Sequence, residues 1–253
     1  MDITYSTNEP LLDKRCFEEF SRACFSHQFV KRGKSFFRIN GNGVLQVLKY
    51  EYDPQNPHHD LSFGLLSMYG ELHPHWFTSG GCSVRHSVVN IVGQASPILP
   101  RTQGEHYVPY TNRVITPVEQ LSILNDCGFP WLDSIDTQAN LAEALCYLDG
   151  IRFSCVLWND ELKFYPYLYE GNTMNAIRVI EAIIRQWNFA LERQRETLND
   201  EEFQRYSSAL LAERKGLYEK LAIAQSSDSD EIKKYLFSNF ESNKKLAKFC
   251  LPK

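Results

Sequence analysis

The chain of 253 residues is 43% hydrophobic and 23% charged, which is typical of a globular protein with enough length to bury a large core. Its formal net charge of −4 gives no overall attraction for nucleic acids or anionic membranes, so nucleic-acid binding is not favoured. No segment reaches the length of a membrane span and no basic, apolar leader opens the chain, which predicts a cytoplasmic protein.

The first third of the chain predicts one helix followed by strands. Apolar residues recur at helical spacing over residues 12–24, which indicates an amphipathic helix. Two β-rich segments over residues 35–52 flank the turn Asn40-Gly41-Asn42-Gly43, whose residue types are a strong signal for a β-hairpin. Further strands are expected over residues 61–68 and 84–92, and the short connections favour antiparallel pairing.

The hairpin also carries a sequence motif. The pattern F-x-K-x-G-x-x-F-x-R-x-N-G runs from Phe29 to Gly41, and a strand that opens Val44-Leu45-Gln46-Val47 follows it. With the helix before it and Phe129-Pro130-Trp131-Leu132 further on, the pattern resembles a family of bacterial proteins described only as a domain of unknown function. The resemblance implies an α+β fold and a bacterial origin, and it carries over no catalytic residue. The longer helical C-terminus and the histidine-rich middle depart from the family's pattern.

Helix signals dominate after a long proline-containing segment. Residues 93–115 have few periodic apolar positions, which is typical of a functional loop or a linker. Thr116-Pro117-Val118-Glu119 forms a capping box, and the helix that it starts is predicted to end near Cys127-Gly128. A second helix is expected from about Asp136 to Gly150.

Residues 151–170 are ambiguous, because the first part suits a strand and the second part favours a helix that ends at Gly171. Three long amphipathic helices should follow, with their apolar positions over residues 174–191, 203–221 and 232–249. Their short joints predict antiparallel packing.

We therefore expect an α+β fold. An antiparallel sheet flanked by the N-terminal helix should form residues 1–115. A helical region, residues 116–253, should pack on or beside that sheet.

Histidines suggest a metal site, although a simpler interpretation exists. His73 and His75 would project to the same side of a strand and are the candidate metal ligands. The alternative, which we favour, is that these two and His58 and His59 are solvated loop residues beside prolines. The seven cysteines form no C-x-x-C pair, which argues against a disulfide framework and a zinc ribbon. We expect no cofactor.

A second group suggests catalysis. Gly80 and Gly81 precede Cys82, and His86 follows closely, so the segment could hold an activated nucleophile, with help from His106, or an anion-binding backbone nest. The favoured alternative is a glycine turn that leads into a strand with Cys82 half-buried.

Aromatic residues are the more suggestive set, because tyrosine and tryptophan are enriched at protein interfaces. Core packing is expected for most of them, and Tyr167 and Tyr169 are the best candidates for surface contact. The candidate binding residues are Trp76, Tyr107, Tyr110, Tyr167 and Tyr169. The sequence thus favours a non-enzymatic protein-binding or regulatory module. The alternative is a small hydrolase or metal-dependent enzyme with a Cys/His cluster at the sheet edge.

Overall fold

The computed structural model describes residues 9–53, 58–74, 77, 86–87, 121–149, 159–226 and 228–250. The first part contains helix α1 (Glu9–Ser26) and strands β1 (Val30–Arg32), β2 (Ser35–Ile39), β3 (Val44–Asp53), β4 (His58–Ser67) and β5 (His86–Ser87). The second part contains helices α2 (Phe129–Ser134), α3 (Gln138–Asp149), α4 (Asn159–Tyr169), α5 (Thr173–Thr197), α6 (Asp200–Gln225) and α7 (Ser229–Cys250).

The strands form one antiparallel sheet in the order β1-β2-β3-β4-β5, which confirms the predicted α+β fold class. The hairpin β2–β3 closes at the predicted turn. Strand β4 begins earlier than expected because its first residues pair with the end of β3, with His59 opposite Tyr52. The interpretation of His58 and His59 as loop residues was therefore wrong. Of the strand predicted over 84–92, only β5 lies within the described residues.

Each face of the sheet is covered by helices, and the alternation of side chains along β2 and β3 explains why. Phe36 and Leu48 lie on one face, in a core that includes residues of α1, α2 and α3. Phe37 and Val47 lie on the opposite face, in a core that includes Ala247 and Cys250 of α7. A strand pair that is apolar on both sides needs two covering layers. Helices α1, α2 and α3 contribute to one layer, and α7 contributes to the other.

The helix predicted to end near Cys127-Gly128 does not end there. Residues 121–123 are helical, a π-helical turn covers Leu124–Gly128, and α2 follows without a break. Gly128 has φ −65° and ψ −51°, so it does not adopt the left-handed conformation that terminates helices. Pro130 lies in the first turn of α2, and the wider π turn before it suits a residue that has no N–H to donate.

The C-terminal helices confirm the predicted positions. The second part of the ambiguous segment is α4, and it stops before Gly171, which has φ +72°. Asn199 begins α6 with a capping box. Helices α5 and α6 pack against each other, and α7 contacts both α6 and α4. The domain division at residue 115 falls outside the described residues and stays a prediction.

Polar side chains attach the hairpin to the connection between α2 and α3. The amides of Asn40 and Asn42 donate to the carbonyl oxygen of Asp136 at 3.0 and 2.9 Å. Gln46 is buried and donates to the carbonyl oxygens of Leu132 at 2.7 Å and Ile135 at 3.2 Å. Buried carbonyls need such donors, so the hairpin orients the helical layer above it.

Gly43 offers a test of how tightly the hairpin packs. Its φ is +75°, and a Cβ there would lie 2.9 Å from Cε2 of Tyr69 and 3.2 Å from Cε2 of Phe240. Gly33 has a similar φ of +63°, with nothing within 4 Å of the added Cβ. We expect Gly33→Ala to lower the free energy of unfolding by about 1 kcal/mol, through backbone strain alone. Gly43→Ala should lower it by about 2–3 kcal/mol, because two aromatic rings must also move.

Urea unfolding monitored by circular dichroism measures both losses. Equal losses in the two variants would contradict the close approach of Tyr69 and Phe240 to the turn.

Candidate functional site

The structure describes only part of the predicted site. His86 lies in β5 and pairs with Phe63 of β4. His73 is exposed and lies near the carboxylate of Glu71. The remaining candidates lie outside the described residues, namely His75, Trp76, Cys82, His106, Tyr107 and Tyr110. The Cys/His alternative therefore stays a prediction. Among the described residues, no group of His, Cys, Asp and Glu side chains could hold a metal ion.

The structure describes both Tyr167 and Tyr169, and the two side chains differ in exposure. Tyr167 is half-buried, and its hydroxyl lies 2.9 Å from Sγ of the exposed Cys146. Tyr169 is 40% exposed, and its ring centroid lies 4.4 Å from that of Tyr69. Tyr169 is thus the predicted binding residue whose exposure the structure shows most directly.

Tyr69 is the buried base of a larger group, which we call the aromatic patch: Tyr69, Tyr169, Phe237 and Phe240. The ring of Tyr69 stacks on Phe240 at 4.9 Å, and Phe237 meets it edge-on at 5.9 Å. Phe237 is 52% exposed although it is large and apolar. Two exposed rings are thus supported by two rings beneath them.

Two asparagines of α7 hold the main chain that carries Tyr69. Asn239 donates to the carbonyl oxygen of Tyr69 at 3.1 Å. Asn243 is buried and donates to the carbonyl oxygens of Met68 at 2.8 Å and Gly70 at 2.6 Å. This segment follows β4, and the amides of Asn239 and Asn243 supply hydrogen bonds to its carbonyls.

A cleft of about 570 Å³ lies beside this segment. It is bounded by residues 66–67 and 70–73 and by helices α4, α5 and α6. Its apolar walls include Leu162, Ile183, Trp187 and Leu217. The cleft is therefore an apolar recess with polar groups at one end.

Those polar groups form what we call the Lys220 cluster: Lys220, Glu71, Glu161 and Tyr235. Nζ of Lys220 lies 2.8 Å from Oε1 of Glu161 and 2.9 Å from Oε2 of Glu71. The hydroxyl of Tyr235 donates to Oε1 of Glu71 at 2.9 Å. The Lys220 side chain is nearly buried, whereas both carboxylates are partly exposed. One ammonium thus joins α6 to α4 and to the segment after β4.

The protonation states follow from these contacts. Burial alone would raise the pKa of Glu71, but the hydrogen bond and charge of Lys220, together with Tyr235 and His73, lower it overall. Burial would lower the pKa of Lys220, but the two carboxylates outweigh it and raise that pKa. Burial raises the pKa of Tyr235, and Tyr165 and Glu71 raise it further. At neutral pH, Glu71 is therefore ionised, Lys220 is protonated and Tyr235 is neutral.

Such groups suit binding better than proton transfer or nucleophilic attack. A general acid needs a carboxyl with a raised pKa, and a nucleophilic lysine needs a lowered one. The shifts of Glu71 and Lys220 run in the opposite directions. The Lys220 cluster therefore offers fixed charges and hydrogen-bond acceptors.

Sequence reasoning missed this cluster because its members are far apart in the chain. One signal was present: Lys220 lies on the apolar face of α6, at helical spacing from Leu217 and Ala224. A lysine at a core position requires an acidic partner, although the pattern does not identify which one.

Comparisons with known proteins add no relative: no family model, no curated protein and no solved structure matches this chain. The resemblance seen in the hairpin motif therefore stays a prediction. Within the described residues, no helix is both long and apolar enough to cross a membrane.

Proposed function

We propose that this protein is a non-enzymatic binding module that recognises a protein partner through the aromatic patch. The observation that carries the proposal is the exposure of Phe237 and Tyr169 above the buried ring of Tyr69. Large aromatic side chains that are held in place by buried neighbours are typical of binding hot spots.

The energetic argument concerns the entropy lost on binding. A mobile surface side chain loses about 0.5–1.5 kcal/mol of rotamer freedom when a partner immobilises it. Tyr169 and Phe237 are already restrained by Tyr69, so more of their burial energy, about 1.5–3 kcal/mol for a full side chain, contributes to affinity.

The charges beside the patch indicate the chemistry of the partner. Lys233 pairs with Asp230 at 3.6 Å, and Lys244 pairs with Glu241 at 3.1 Å. These pairs compensate the two lysines, and the aromatic patch itself contains no charged side chain. The partner surface should therefore be apolar, and its binding should depend weakly on salt.

The Lys220 cluster supports a binding role over a catalytic one, for the reasons given by the pKa directions above. We further propose a cytoplasmic, bacterial setting. The cysteine pattern and the hairpin resemblance support that setting.

A photo-crosslinking experiment tests the proposal. Phe237 is replaced by p-benzoylphenylalanine, the full chain is irradiated in an extract of its source organism, and the crosslinked protein is identified by mass spectrometry. The partner is then purified and its affinity measured. We expect Phe237→Ser and Tyr169→Ser each to weaken binding about tenfold or more.

Phe189 provides the matched control, since it is 67% exposed and no described aromatic ring contacts it. Phe189→Ser should leave the affinity within about twofold. Equal losses in the three variants, or a large salt dependence, would overturn the proposed surface. A crosslink to a second copy of this chain would show that the patch mediates self-association and does not bind a different protein.

A further inference from the structure

We propose that the cleft beside the Lys220 cluster binds a small organic cation, namely an amine with an aromatic or aliphatic body. This inference is independent of the aromatic patch, because none of the described residues that line the cleft belongs to that patch. It concerns a second, small-molecule site on the same protein.

The size and walls of the cleft suit a small molecule. Its volume of about 570 Å³ lies within the range of ligand sites. Trp187 and Tyr165 provide aromatic surface, which attracts cations as well as apolar groups. Gly216 lines the cleft from within α6, and a Cβ there would meet nothing within 4 Å. Glycine weakens a helix interior by about 1 kcal/mol relative to alanine, and here its missing side chain leaves the recess open.

One carboxylate that lines the cleft, that of Glu161, has unused hydrogen-bonding capacity. Oε1 of Glu161 accepts from Lys220, while its second carboxylate oxygen accepts no hydrogen bond from the described residues. Tyr165 is only 5% exposed. Its hydroxyl is buried beside the hydroxyl of Tyr235 and the main chain of Glu71, so the ring of Tyr165, and not its hydroxyl, is what a ligand would contact.

The charges of the residues that line the cleft favour a cationic ligand. Among the described residues that line the cleft, Glu71 and Glu161 carry the carboxylates, Lys220 carries the only ammonium, and His73 is the remaining titratable group besides Tyr165. Two of the three donors of Lys220 are already used by these carboxylates. An anion would meet net negative charge, whereas an amine can donate to Glu161 while its body contacts Trp187.

Three probes of nearly equal shape test the inference: 2-phenylethylamine, 2-phenylethanol and phenylacetate. Their affinities for the full-length protein are measured by ligand-observed NMR at pH 8. For fragments of this size we expect a Kd on the order of 1–10 mM for the amine. The amine should bind about tenfold more tightly than phenylacetate.

Variants then locate the site. Glu161→Gln should weaken the amine about tenfold and leave 2-phenylethanol within about twofold, because only the charge-assisted hydrogen bond is lost. Glu192→Gln, the same change on the exposed surface of α5, is the control. Gly216→Leu should abolish binding by filling the cleft, and it keeps the helix intact even if the Glu161 variant is unstable.

Three results would each overturn the inference. One is phenylacetate or 2-phenylethanol binding as tightly as the amine. Another is amine binding that survives Gly216→Leu. The third is an absence of saturable amine binding at concentrations on the order of 20 mM, which lie above the expected Kd.

Discussion

Replacing Lys220 by methionine should lower the free energy of unfolding by about 2–3 kcal/mol at pH 7. The ammonium of Lys220 contacts Glu161 at 2.8 Å and Glu71 at 2.9 Å, and methionine leaves both carboxylates without that partner. The loss is smaller than for a fully buried pair, because water still reaches both carboxylates. Urea unfolding curves give the difference directly.

Two controls separate charge from packing. Lys215→Met removes an exposed lysine of the same helix that pairs with Glu219 at 3.8 Å, and it should change stability by less than about 0.5 kcal/mol. The triple variant Glu71→Gln, Glu161→Gln, Lys220→Met removes all three charges and should recover most of the loss. If the triple variant is as unstable as Lys220→Met, the loss arises from packing instead.

The same cluster predicts how stability depends on pH. The pKa of Glu71 is lowered in the folded protein, so its contribution is present above the unfolded pKa and is lost as pH falls through the folded one. The pKa of Lys220 is raised, so its contribution is present below the unfolded pKa and is lost as pH rises through the folded one. The cluster should therefore stabilise the fold most between about pH 5 and pH 10. Unfolding curves of Lys220→Met should show a smaller difference from the parent at pH 3 than at pH 7.

Replacing Asn243 by aspartate should lower the free energy of unfolding by about 3 kcal/mol at pH 7. The change keeps the shape of the side chain but removes both donors to the carbonyl oxygens of Met68 and Gly70. It also places a charge at a position that is buried within the fold. Because a protonated aspartate can donate once, part of the loss should be regained as pH falls.

Asn239→Asp is the matched control, since Asn239 makes one hydrogen bond, to Tyr69, at a partly buried position. Its loss should be about 1 kcal/mol. Comparable losses at the two positions would contradict the role of the two buried hydrogen bonds from Asn243 in holding the main chain at Met68 and Gly70.

Several elements were predictable because their causes are local. The turn Asn40-Gly41-Asn42-Gly43 specifies a hairpin through residue types that tolerate positive φ, and Gly43 has φ +75°. The apolar spacing of α5, α6 and α7 predicts an amphipathic helix whichever element its apolar face packs against. Gly171 ends α4 because glycine adopts the left-handed conformation without strain.

Gly128 shows where local reasoning failed. Glycine permits a helix stop but does not require one, and Gly128 is buried in a continuous helical path instead. Tyr169 is a predicted surface residue, and it is 40% exposed. Phe237 was not singled out, because on a helix with apolar residues at regular spacing it does not differ in pattern from the buried residues nearby.

Patterns within about ten residues of one another thus account for the hairpin, the helix positions and the α+β class, because turn and helix preferences act over that range. The two candidate sites depend on longer distances. Lys220 meets Glu71 and Glu161, and Phe237 meets Tyr69, only after α4, α6 and α7 pack around the end of β4. Side chains this far apart in sequence come into contact only when whole helices and strands pack together. The spacing of residues along the chain does not predict which elements contact each other.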